Sequence, residues 1–229
     1  MTGKLGRGAA GAEDAAEAFS RRDPYWPAQL SVLATIVLDI DLPSKLTLRP
    51  AWLLPVLEGV LLIALIVTTP MSRARNDPRR RVLALILVGI VSAANLLSLV
   101  LLVHYLLHKG NVQGVDLVRA GVEIWITNVL LFAIWYWELD RGGPAARKLA
   151  VCPAPDFLFP QMTEERLGRW EWRAGFIDYL YVSITNASAF SPTDTMPLSQ
   201  KAKVLMAVQS LASLVTVGLV VARAVNILH

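Results

Sequence analysis

Apolar residues in this chain come in long runs with few polar interruptions, without the alternation that marks strands. Several runs reach the roughly 20 residues a helix needs to cross a hydrocarbon core about 30 Å thick. With no water to satisfy the backbone in lipid, such runs predict helices; no period-two pattern points to a barrel. Runs over residues 26–42, 50–70, 82–107, 117–137 and 202–228 each predict a span, and the semi-polar stretch 174–190 predicts a sixth, shorter helix. Pro43, Pro70 and the Gly142, Gly143, Pro144 triplet mark run ends. The expected fold is all-α, a polytopic transmembrane bundle of six helices, or of five crossings if residues 175–190 re-enter on the side they left. The expected organisation is a disordered cytoplasmic tail (1–24), a four-helix membrane region (25–138), an interfacial loop (139–174) and a C-terminal helical hairpin (175–229).

Composition agrees with lipid as the solvent: 55% of the 229 residues are hydrophobic and 17% charged. The net charge of +4 does not point to nucleic acid, because the basic residues sit between apolar runs. Arg73, Arg75, Arg79, Arg80 and Arg81 crowd one short connection, which the positive-inside rule places in the cytoplasm. Arg141, Arg147 and Lys148 follow the fourth run and are expected on the same side, while the nearly uncharged turn after His108 is expected outside. With six crossings both termini are cytoplasmic, and the protein belongs in a bacterial inner (plasma) membrane. Arg223 suits that count; Lys201 and Lys203 at the start of the last run argue the other way. Trp26, Trp52, Trp135 and Trp137 are read as interface anchors.

Ionisable groups inside a membrane are costly and mark function or helix contacts. On the six-helix topology Glu58 and Glu123 fall at similar depth in the outer half, with His104 in the same half and Asn95 deeper; Asp39 and Asp41 mark the exit of the first helix. One reading is an outward-facing acidic cavity for a cation or proton. The other is that these residues hold helices together by side-chain hydrogen bonds. Asp178 and Asp194 are read as helix caps or as ion ligands. The single cysteine, Cys152, has no second thiol or nearby histidine for a metal site. No phosphate-binding glycine loop, H-E-x-x-H or G-x-S-x-G occurs, so no enzyme, cofactor or metal is expected.

The stretch FIDYLYVSITNASAFSPTDTMPLSQKAKVLMAVQSLASLVTVGLVVARAVNIL resembles in layout the pore-helix, filter and inner-helix unit of tetrameric potassium channels. Tyr179, Tyr181, Ser183 and Thr185 match the pore helix, Asp194 and Pro197 the positions after the filter, and residues 201–228 the inner helix. The filter itself departs: Ala189, Phe190, Ser191, Pro192 and Thr193 stand where glycine carbonyls should replace a potassium ion's water shell. The phrases WYWELDRGGP, DFLFPQM and FSPTDTMPL resemble a family of uncharacterised bacterial integral membrane proteins. That second resemblance implies a membrane protein and no activity; the channel-like hairpin and the outer-half carboxylates lead to the expectation of a channel-like or transporter-like protein for a cation or proton. Its polar path is lined by Glu58, Glu123, His104, Asn95, Ser183, Thr185, Asn186, Thr193 and Asp194. A homo-oligomer in the lipid bilayer is expected, because six short helices enclose little space. The alternative is a non-transporting scaffold or accessory subunit that meets a partner through residues 141–173.

Overall fold

Every expected apolar run is a helix in the computed structural model, which describes residues 26–41, 53–68, 78–107, 114–144, 146–148, 153–163, 172–188 and 194–227. The helices are α1 (Trp26–Asp41), α2 (Leu53–Thr68), α3 (Pro78–Leu107), α4 (Gly114–Leu139), α5 (Phe176–Ser188) and α6 (Gln200–Ile227). Three of them, α3, α4 and α6, are long and apolar enough to cross a membrane. At 1.5 Å per residue α5 is only about 20 Å long. The tail 1–24, Trp52, Cys152 and Thr193 lie outside the described residues.

The helix partners follow from who can reach whom. Helix α4 is central: it packs against α1, α3, α5 and α6. Neighbours run antiparallel to it. Arg81 near the start of α3 donates to the Glu138 carbonyl near the end of α4, and Asn95 donates to the Ile124 carbonyl. On the other flank Asn128 donates to Ser213 and Tyr136 to Gln209, which sets α6 antiparallel to α4. Large apolar side chains such as Val37, Ile40, Ile63, Ile86, Leu211 and Leu214 point outward, an arrangement that suits lipid.

Helix α5 leaves and its chain returns at one end of this bundle. Its first turn lies by the end of α4, where Phe176 stacks edge-on to Trp137 at 5.9 Å. The chain then comes back to form strand β2 (Met196–Pro197), antiparallel to β1 (Phe157–Leu158) in the register Phe157 to Pro197. Leu198 N–H continues that contact, donating to the Asp156 carbonyl at 2.8 Å. Helix α6 therefore starts at the end of the bundle where α4 stops. Asp178 caps α5 by accepting from Gly175 N–H at 2.8 Å, the capping role the sequence offers it. The cap of α6 is Ser199, whose hydroxyl accepts from Ala202 N–H. Asp194 is exposed.

The described part of the connection after α4 contributes to the core. Phe157 and Phe159 are buried among Tyr136, Tyr179 and Trp172. Burial of this kind makes residues 157–159 part of what holds the bundle's end together, so removing DFLFPQ would not leave the rest of the fold intact. Trp137, expected as an interface anchor, is instead fully buried, because Phe176 and Arg147 cover it, whereas an anchor would be half-exposed. Trp135 is half-buried and donates to Ser92 at 3.0 Å.

The junction is organised by one side chain. Asp140 is 0% exposed, and its carboxyl accepts from Asp156 N–H at 2.7 Å, Phe157 N–H at 3.3 Å and the Tyr179 hydroxyl at 2.7 Å. Arg147 returns over the end of α4, donating to the carbonyls of Trp137 at 2.7 Å and Asp140 at 3.1 Å, with its guanidinium 5.1 Å from the Tyr179 ring centre. The reversal needs glycine at Gly143, where φ is +95° and a Cβ would come within 3.2 Å of the Glu138 carbonyl.

Candidate functional site

Five charged residues of α1, α2 and α4 gather where α1 ends and α4 begins. Asp41, the last residue of α1, forms an ion pair with Arg119 one turn into α4. Arg119 Nε also donates to Glu123 Oε1 at 3.0 Å, the i to i+4 spacing that puts both on one helix face. Beyond Glu123 the polar chain continues inward. Asp39 lies within electrostatic reach of Glu123, and the carboxyls of Asp39 and Glu58 meet between α1 and α2. Exposure falls along this series, from Arg119 with 61% of its side chain exposed to Glu58 at 0%.

Hydrogen bonding does not keep pace with burial. Both oxygens of Glu58, Oδ2 of Asp39 and Oε2 of Glu123 are buried and, among the described residues, have no hydrogen-bond partner. Thr35 lies beside Glu58, but its hydroxyl proton goes to the Val32 carbonyl at 2.8 Å. The contact from α3 on this stretch of α2 is apolar, with Val91 and Ala94 against Leu57. Unpartnered buried carboxyl oxygens are uncommon, since each forfeits hydration that the protein does not replace. Among the described residues, no three His, Cys, Asp or Glu side chains gather in a way that could hold a metal ion. The carboxyls meet in pairs.

Two of the other sequence-singled residues, Ser183 and Asn186, belong to a second, separate polar centre. Ser183 is fully buried, donates to the Val129 carbonyl at 2.7 Å and accepts from Gln209 Nε2 at 2.6 Å. Asn186 donates to Gln209 Oε1 at 2.8 Å and to the Met206 carbonyl at 2.9 Å. Tyr136 donates to the same Gln209 oxygen at 2.5 Å. These groups satisfy one another and tie α5 to α4 and α6, as helix-joining hydrogen bonds do in lipid. Thr185 bonds the Tyr181 carbonyl of its own helix. Asn95 joins α3 to α4 through a long contact of 3.4 Å. His104 is exposed near the end of α3, its ring 6.0 Å from Tyr105. Asp194 stands at the opposite end of the bundle, beside β2, and Thr193 is outside the described residues.

Sequence reading brought forward Glu58, Glu123, Asp39 and Asp41 but passed over Arg119, Asp140, Tyr136 and Gln209. For Arg119 a signal existed: an arginine four residues before a glutamate at the start of an apolar run. Gln209 offered one as well, as an amide in the middle of the last span. Comparison with protein-family models, with curated proteins and with solved structures finds no match.

Proposed function

We propose that this chain is a membrane-embedded protein of the transporter or channel type that takes up a proton between Asp39 and Glu58. The observation that carries the reading is Glu58: a fully buried carboxyl with no donor on either oxygen among the described residues, facing a second carboxyl. A proton shared by the two would give the donor that the protein withholds, and the acidic series out to Asp41 would give it a route. The polar residues of α5 and α6 have a structural role in this reading, because their hydrogen bonds close on one another. The path therefore runs beside α1, α2 and α4 and not through the channel-like hairpin. Purified protein in liposomes with a trapped pH-sensitive dye should dissipate an imposed pH gradient, and Glu58→Gln should abolish that flux. Equal flux in the variant, or none in the wild type, removes the reading.

The same proposal fixes an orientation. We read five crossings in a bacterial plasma membrane, with α5 re-entering. Arg81, Arg141, Arg147, Arg173, Lys201 and Lys203 then share the cytoplasmic end, and Asp41, Asp116 and Arg119 face outward. This removes the conflict that Lys201 and Lys203 pose for six crossings. Alkaline phosphatase fused after Ile227 should be active, and green fluorescent protein at that point dark; the reverse pattern would restore the sixth crossing.

A further inference from the structure

The mouth of the acidic series is already occupied by a cation that belongs to the chain. Arg119 reaches Asp41 through Nη2 and Glu123 through Nε, so one guanidinium spans two helices and two carboxylates. Behind it lie the unpartnered oxygens of Glu123, Asp39 and Glu58. Among the described residues, the charged side chains meeting here are four carboxyls and this guanidinium. A guanidinium does not lose its proton in proteins and presents its donors in a fixed fork that matches carboxylates. It fills the position that two carboxylates would otherwise offer to a free sodium or potassium ion, and its tether spares it the entropy a free ion loses on binding. A proton has no such competitor, because it can move between neighbouring carboxyls without displacing the guanidinium.

We propose that Arg119 is a specificity-determining residue, a tethered cation that keeps alkali ions out of the Asp41–Glu123 position and leaves the buried pair accessible to protons alone. This rests on the proton reading of Asp39 and Glu58, yet its test needs no flux. Infrared difference spectra of the full-length protein in lipid, taken on exchanging choline chloride for sodium chloride, report whether carboxylates gain a metal-ion neighbour. The wild type should show no change in its carboxylate stretching bands. Arg119→Gln should show a sodium-induced shift that saturates, Arg119→Lys should stay silent, and Arg119→Gln combined with Glu123→Gln should lose the response. A role confined to joining α1 and α4 would leave all of these spectra insensitive to sodium. Should Arg119→Gln be poorly folded, preparing it with added guanidinium chloride supplies the missing cation, which sodium then displaces with the same spectral change. A sodium response in the wild type, none in Arg119→Gln, or a variant that guanidinium fails to recover overturns the proposal. A sodium response in Arg119→Gln together with no proton flux in the wild type would uphold this role for Arg119 while removing the transport reading.

Discussion

Asp140→Ala should lower the unfolding temperature of the detergent-solubilised protein by about 10 °C or more. The carboxyl accepts from two backbone N–H groups and from the Tyr179 hydroxyl in a fully buried site. Truncation strands all three donors, at about 1–3 kcal/mol each, and a 229-residue chain converts each kcal/mol into roughly 2–4 °C. The damage falls on the junction that seats β1, β2 and the start of α6, because Asp156 and Phe157 are held through Asp140 before they can meet Pro197 and Leu198. Graded variants separate the contributions. Tyr179→Phe removes one donor and leaves Asp140 Oδ2 without it, while both backbone N–H bonds stay, and should cost less than Asp140→Ala. Asp140→Asn keeps one carbonyl oxygen for the two N–H groups and should cost least. Melting followed by loss of tryptophan fluorescence would check the order, and an alanine variant as stable as the wild type would show that the junction does not depend on this side chain.

That dependence was invisible in the residues themselves, and the reason is physical. Long apolar runs announce helices through the solvent they need, so the start and stop of α1, α3, α4 and α6 were readable to within a few residues. The segment ELDRGGP was readable only as a stop. What makes it a hub is its meeting with residues 156–158 and Tyr179, and no local period encodes a partner so far along the chain. Asp41 and Arg119 stand 78 positions apart for the same reason. Helix α5 illustrates the limit from the other side. Its serine, threonine and asparagine content resembles a pore helix, but the same content is required of any short helix whose polar face must be satisfied by Tyr136 and Gln209. Whether the segment crosses or returns depends on β1–β2 pairing, which two-residue strands containing a proline do not advertise.

The largest functional effect is expected at Glu58, and it separates the two readings that the sequence leaves open there. If Glu58 joined helices, replacing it with an apolar side chain of similar length would remove bonds and destabilise the protein. Among the described residues no N–H or hydroxyl donates to its carboxyl oxygens, so the opposite is expected: Glu58→Met removes a buried carboxyl whose one partner is a second acid and fills the same space. The gain should be about 1–3 kcal/mol, the magnitude by which such a group penalises a folded protein. Thermal unfolding in detergent should therefore shift upward for Glu58→Met while proton flux in liposomes is lost. Asn128→Ala, which removes a satisfied bond to Ser213, should shift unfolding downward and leave flux in place. Opposite signs at two buried polar positions are what distinguish a site from a fastening. A fall in stability for Glu58→Met would mean that its carboxyl is bound after all, and the proton would lose its place between α1 and α2.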